Sequence, residues 1–257
     1  MLVDIHAHLE DRKFKKIDDI IKEAKEKGVG VIITAGINQK TNELALKLSE
    51  EYDIVKCSFG LYPLEIKNKE VAEKIIKWIG KNKDKCVGIG EIGLDYKFGN
   101  PEDKKQKDIF EKLIKLAKRI NKPVIVHSRK AESDVLDILE KNKIKKVVLH
   151  CFNGKKSLIK RALSLNFYFS IPPIITKFQH FQMLCKEVPL SKILTETDSP
   201  YLSPYPDEIN TPKNVKITIK KIAEIKGIDE EKVETEIFNN FKLVFNFNKN
   251  EKRGKWN

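Results

Sequence analysis

Four histidines, His6, His8, His127 and His150, stand at or just after the ends of short apolar runs. His6 and His8 are two residues apart. On a strand such residues point to the same side, so both imidazoles can face one ion. His127 closes Val124-Ile-Val-His, and His150 closes Val147-Val-Leu-His. Two acids hold comparable places: Glu91, among glycines in Val87-Gly-Ile-Gly-Glu-Ile-Gly-Leu-Asp95, and Asp198, in Leu194-Thr-Glu-Thr-Asp-Ser-Pro-Tyr201. Taken singly, each histidine reads as a satisfied core residue, and Asp198 as a turn cap. Taken together they need a cation, because a buried carboxylate among imidazoles must be paired. Four imidazoles and two carboxylates suit Zn²⁺, Mn²⁺ or Mg²⁺. They fit a hydrolase that holds two divalent ions about 3.5–4 Å apart. His180 lies apart, in a helical stretch beside Phe178 and Phe181.

The elements that must position these residues alternate along the chain. Strands are expected over 2–6, 30–35, 54–59, 86–92, 123–127, 146–150, 166–170 and 191–195. Several are continuous Val/Ile/Leu runs, the mark of strands buried on both faces of a parallel sheet. Amphipathic helices are expected over 17–27, 38–51, 71–81, 103–120, 131–141, 155–165 and 177–187, then over 213–226 and 229–247. This is the pattern of an α/β protein, a single (β/α)₈ TIM barrel, whose strand C-termini converge on one mouth where active sites are built. A doubly wound sheet would carry a glycine-rich phosphate loop after its first strand; here the first strand runs into His6-Ala-His8. No linker divides the chain, so residues 1–247 read as one domain and 248–257 as a polar tail.

The 257 residues carry 50 Lys+Arg against 37 Asp+Glu, a formal net charge of +13. That balance favours a polyanionic partner such as DNA. It also fits a solvated Lys/Glu surface, since only Arg12, Arg119, Arg129, Arg161 and Arg253 are arginines. Cys57, Cys86, Cys151 and Cys185 form no C-x-x-C pair and read as buried, inert thiols. Trp78 and Trp256 read as helix packing and tail. No apolar run reaches the roughly 18 residues of a membrane helix, and no secretory signal opens the chain. A cytoplasmic protein that uses no membrane and no obligate protein partner is the expectation.

Five blocks, Asp4-Ile-His-Ala-His-Leu9, Gly90-Glu-Ile-Gly-Leu-Asp95, Val126-His-Ser-Arg129, Leu149-His-Cys-Phe152 and Thr197-Asp-Ser-Pro-Tyr-Leu202, occur in this order. They resemble the signature blocks of the TatD family of metal-dependent deoxyribonucleases, over about residues 1–247. The resemblance implies an amidohydrolase-type barrel, two divalent metals and hydrolysis of DNA phosphodiester bonds, as an exonuclease. By position, His6, His8, Glu91 and Asp198 would hold one metal. Glu91, His127 and His150 would hold the other, with Glu91 bridging and Asp198 accepting a proton.

Two departures bear on substrate. Gly60-Leu-Tyr-Pro63 places Tyr62 where the family commonly has a histidine, so Tyr62 would replace a substrate-facing imidazole. Pro206-Asp-Glu-Ile-Asn-Thr-Pro212 is acidic where the family often carries Arg-Gly, although Asn210 and Pro212 match its Asn-x-Pro. Arg129 offers a planar fork to phosphate or forms a structural ion pair. Asp95 and Glu196 either orient ligand imidazoles or cap turns. Two other functions compete. An amidohydrolase acting on another ester or amide would often bridge its metals with a modified lysine, where this chain has Glu91. A non-catalytic nucleic-acid binder would show a coherent stripe of aromatic and basic residues, and the linear sequence shows none.

Overall fold

Strands whose two faces are both apolar must be covered on both sides, and helices following each strand supply one cover while the barrel interior supplies the other. A computed structural model, which describes residues 1–102 and 104–247, has this arrangement. Trp256 and the expected tail lie outside the described residues. The strands are β1 (Leu2–Ala7), β2 (Val29–Ala35), β3 (Val55–Phe59), β4 (Gly88–Asp95), β5 (Val124–Arg129), β6 (Val147–Leu149), β7 (Tyr168–Ile171) and β8 (Ile193–Thr195). They pair in parallel and in chain order, β1 to β8, as one eight-stranded sheet. The helices are α1 (Ile17–Glu26), α2 (Gln39–Glu51), α3 (Lys69–Lys81), α4 (Lys104–Arg119), α5 (Glu132–Lys141), α6 (Lys156–Ser164), α7 (Gln179–Glu187), α8 (Val215–Lys226) and α9 (Glu230–Phe245). The chain forms the (β/α)₈ TIM barrel that the alternation implies.

Local chemistry sets the helix ends. Asn38 caps α2 in a reciprocal box with Thr41, and Asn68 caps α3 by accepting the Val71 N–H. Gly227 ends α8 in the left-handed region, at φ 65°. Each helix turns an apolar stripe inward; α4 buries Ile109, Phe110, Leu113, Ile114, Leu116 and Ala117. A fully buried Leu, Ile or Phe contributes about 1.5–3 kcal/mol, so this face alone fixes α4 against the sheet.

The barrel closes by a different device from the one that joins its other strands. Among the described residues, ladder pairing runs from β1 to β8 but is not repeated between β8 and β1. That seam is held instead by Thr195 Oγ1 donating to the Val3 carbonyl at 2.6 Å and by the Asp198 N–H donating to the His6 carbonyl at 2.9 Å. The His8 N–H reaches the Ser199 carbonyl at 2.7 Å. Asp4, fully buried in β1, accepts the Thr197 N–H at 2.9 Å and the Thr197 hydroxyl.

Strand ends differ from expectation at the mouth. β4 and β5 run three and two residues further than the apolar runs do, since Gly93, Leu94 and Asp95 pair with His127, Ser128 and Arg129 after a register shift. His127 therefore lies inside its strand, and His150 lies one residue beyond β6. The peptide bonds Gly90–Glu91 and Ser199–Pro200 are cis.

Candidate active site

The six residues singled out by type and spacing meet at the C-terminal mouth. The i, i+2 spacing on β1 brings the His6 and His8 rings edge to face, 4.9 Å apart. Both turn Nε2 toward the same acids. His6 Nε2 lies 3.5 Å from Glu91 Oε2 and 3.6 Å from Asp198 Oδ1, and His8 Nε2 lies 3.5 Å from each of these atoms. The other Glu91 oxygen faces the opposite side, with Oε1 2.9 Å from His127 Nδ1 and 3.9 Å from His150 Nε2. Glu91 thus divides the four imidazoles into two pairs, one at each of its oxygens.

Backbone geometry admits this crowding. A Cβ on Gly60 would lie 2.3 Å from the Glu91 carbonyl oxygen and 2.5 Å from its nitrogen, so only glycine lets β3 back onto Glu91. Gly93 sits at φ +151°, where a Cβ would come 1.9 Å from the His127 carbonyl oxygen. Asp198 is left-handed at φ 54°, in the loop just past β8.

Each of three imidazoles has one nitrogen engaged behind the site, which frees the other to face it. His8 Nδ1 donates to the Ala35 carbonyl at 3.0 Å. His150 Nδ1 pairs with Glu196 Oε2 at 2.7 Å, and His127 Nε2 with Asp95 Oδ2 at 3.1 Å. Such partners fix tautomer and ring orientation, as ligand imidazoles require. Asp95 performs both roles that its sequence position allowed. Its Oδ2 orients His127, while Oδ1 accepts the Lys97 and Phe98 N–H groups at 3.0 Å each. The Tyr62 hydroxyl donates to Asp95 Oδ2 at 2.8 Å and lies 3.4 Å from His127 Nε2, so it is already committed behind that ring.

His6 is the exception, and it decides whether cations fit. Both of its ring nitrogens are fully buried and neither has a hydrogen-bond partner. An unsatisfied buried polar atom costs about 1–3 kcal/mol, and a cation at Nε2 would satisfy one. His6, His8 and Asp198 place ligand atoms within 4.8 Å of one another, as do His6, Glu91 and His150. His127 joins neither threesome and reaches the cluster through Glu91 Oε1 and by stacking on the His150 ring, 6.1 Å away. A further group of His150, Cys151 and Glu196 is the flank of the same site.

The electrostatics agree with the donor set. Burial pushes Glu91 upward, but the short contact with His127 and the nearby His6 and His8 imidazoles outweigh it and hold the carboxyl well below its ordinary range. Burial likewise opposes ionisation of Asp198, and the His8 hydrogen bond with the charges of His150 and His6 overcomes it. Burial and the charge of Glu196 instead push the Cys151 thiol well up, which leaves it a poor ligand.

Sequence reasoning missed three supports. Glu10 accepts Thr34 Oγ1 at 2.5 Å and lies 3.3 Å from His8 Nδ1. Asp4 ties β1 to the Asp198 loop. The exposed aromatic residues Phe98, Phe178, Tyr201 and Tyr205 all belong to loops leaving β4, β7 and β8 at the mouth. Their shared position after strand ends was the available signal, and their scatter along the chain hid it. His180 is outside the site, with Nε2 3.1 Å from the Phe152 carbonyl oxygen.

A barrel with histidines and carboxylates converging at its C-terminal mouth is the architecture of a metal-dependent hydrolase. A family profile described as TatD related DNase matches residues 3–246. The chain is 38% identical over 240 residues to a metal-dependent hydrolase of Methanocaldococcus jannaschii, covering 93% of this chain and 94% of that one. It is 35% identical over 250 residues to the human deoxyribonuclease TATDN3, covering 90% of each. The crystal structure of YJJV, a TatD homologue of Escherichia coli, superposes with a TM-score of 0.87 at 26% identity, over 96% of this chain and 98% of that one. The chain belongs to the TatD family of metal-dependent hydrolases. Among the described residues, no helix is long and apolar enough to cross a membrane.

Proposed function

We propose that this protein is a deoxyribonuclease that hydrolyses phosphodiester bonds at DNA ends, in the cytoplasm, with two divalent ions. One observation carries the reading: Glu91 presents Oε2 to His6 and His8 and Oε1 to His127 and His150. A carboxylate with a separate imidazole pair at each oxygen is suited to bridging two cations. His6, His8, Glu91 and Asp198 would hold one ion, and Glu91, His127 and His150 the other. Mg²⁺, Mn²⁺ or Zn²⁺ there would supply Lewis-acid polarisation of a phosphoryl oxygen and a water of lowered pKa.

The chain's own groups do the rest. Asp198, ionised and with Oδ1 directed into the cluster, accepts the proton of the attacking water. Asp95 and Glu196 hold their imidazoles with the free nitrogen inward. Arg129 stands exposed at the end of β5, two residues from His127, and forms no ion pair with a described residue, so its guanidinium is open to a phosphate. Tyr62 would meet substrate through its ring, because its hydroxyl is spent on Asp95 behind His127.

The experiment compares hydrolysis of labelled DNA with hydrolysis of amide and carboxylic-ester substrates, on protein stripped by chelator and reloaded with each ion. Metal-restored cleavage of DNA, weakened by rising salt as counterion release requires, is expected. Restored activity confined to the amide or ester substrates, indifferent to salt, would replace this reading with that of a different amidohydrolase.

A further inference from the structure

Two cation–aromatic pairs stand at the mouth on opposite sides of the cluster of imidazoles and carboxylates. The first joins Phe98, in the loop after β4, to Arg129 at the end of β5, with the guanidinium carbon 5.5 Å from the ring centroid. The second joins Tyr201, after β8, to Lys13, after β1, with Nζ 4.2 Å from the ring centroid. In an eight-stranded barrel numbered in chain order, the β4–β5 edge and the β8–β1 edge lie half a circumference apart. The two pairs therefore face each other across the cluster. Phe98 is 64% exposed and Tyr201 is 43% exposed, although rings of this size are normally buried.

The backbone that carries each ring is tied to the site. The Phe98 N–H donates to Asp95 Oδ1 at 3.0 Å, the same carboxylate that orients His127. The Tyr201 N–H donates to the Asp198 carbonyl at 2.9 Å, and its hydroxyl donates to Asp11 Oδ2 at 2.7 Å. The Tyr201 ring stands 6.3 Å from that of His8. Among the described residues neither Arg129 nor Lys13 lies within ion-pair distance of an acid, although the Lys13 charge acts on Asp11, which also accepts the Tyr201 hydroxyl. An aromatic face next to a cation with no close ion-pair partner matches one nucleotide, which carries a base to stack and a phosphate to pair.

We propose that Phe98–Arg129 and Tyr201–Lys13 are two nucleotide clamps, gripping the bases on either side of the phosphodiester held at the cluster. The proposal rests on the deoxyribonuclease reading and deepens it. A ring can stack only on a base released from its partner strand, so the clamps select unpaired nucleotides over paired ones. Base stacking is tolerant of sequence, so the selection is for strand state and not for a base.

The test uses fluorescence anisotropy and steady-state cleavage on the full, metal-loaded chain. Ligands are a labelled single strand, the same strand with abasic residues flanking the scissile bond, and a blunt duplex. Variants are Phe98→Ala, Tyr201→Ala, Phe98→Trp and Tyr201→Phe, with melting temperatures recorded alongside. We expect each alanine variant to weaken single-strand binding and raise KM by about tenfold, with kcat within about twofold. We expect Phe98→Trp and Tyr201→Phe to restore binding, and the alanine effects to vanish on the abasic strand, where no base remains to stack. Equal losses on the intact and abasic strands would make the rings structural and overturn the proposal. So would unchanged binding in both alanine variants while the wild type binds and cleaves the single strand. A wild type that neither binds nor cleaves any DNA would overturn the deoxyribonuclease reading itself, and the clamps with it.

Discussion

Glu196 Oε2 lies 2.7 Å from His150 Nδ1, and the pair is buried behind the cluster of imidazoles and carboxylates. Glu196 also accepts the Cys151 N–H at 3.0 Å and the Ser170 hydroxyl at 2.7 Å, so its orientation is fixed from β7 and from the end of β6. The carboxylate keeps the His150 proton on Nδ1 and leaves Nε2 for an ion. Removing such a support typically costs about ten- to hundredfold in metal affinity. Glu196→Gln is predicted to bind divalent ions that much more weakly with the fold intact, as measured by calorimetric titration of the stripped protein.

The same pair gives a pH dependence with a definite sign. Burial lowers the His150 pKa, but the charge and hydrogen bond of Glu196 outweigh it and push it up to about 9 in the metal-free protein. A raised folded-state pKa stabilises the fold fully below the ordinary value of 6.5 and loses that contribution as pH rises through about 9. Metal-free wild type is predicted to lose melting temperature over that window, and Glu196→Gln to lose less. Metal affinity should run the other way, rising toward about pH 9 as the competing proton leaves. Parallel thermal melts at several pH values check both signs.

Asp198 is predicted to be needed for turnover beyond its part in holding an ion. Asn is nearly isosteric and still offers an oxygen, but it cannot accept a proton. Loss of a general base costs roughly 10²–10⁴-fold. Asp198→Asn should lose about that much in kcat while keeping its fold and DNA binding, and turnover within a few-fold of wild type would reduce the residue to a turn cap. Metal content measured on the same sample separates slow chemistry from a lost ion.

Asp4 tests the seam. Its carboxylate accepts from Thr197 twice and from the His6 N–H at 3.3 Å, all in full burial. Asp4→Ala strands those donors, each unsatisfied buried group costing about 1–3 kcal/mol. A drop of that order in unfolding free energy, measured by urea titration, is expected, whereas a surface-like effect under about 0.5 kcal/mol would show that the seam holds without it.

These residues also mark how far the sequence could be read. The barrel was legible because Val147-Val-Leu and Gly30-Val-Ile-Ile-Thr-Ala35 are apolar on both faces, which only a covered parallel strand permits. The six cluster residues were legible because imidazoles and acids recurred at strand ends. The far end of β4 was not, since Gly93 weakens any local strand signal; its extension depends on pairing with β5. Asp4 reads as part of the His6-Ala-His8 block, yet its partner Thr197 lies 193 positions away and is supplied only by closure of the barrel. Phe98 and Tyr201 are 103 positions apart in the chain, and no linear stripe announces two residues on opposite sides of a mouth.

If Glu91 is shared between two ions, its removal must cost both, and counting ions shows whether it does. Divalent metal per chain is measured by elemental analysis on wild type, Glu91→Ala and His150→Ala, prepared identically and checked for folding. The account predicts about two ions in wild type, a loss of one in His150→Ala, and a loss of both or nearly both in Glu91→Ala. Equal retention of a single ion in the two variants would contradict it.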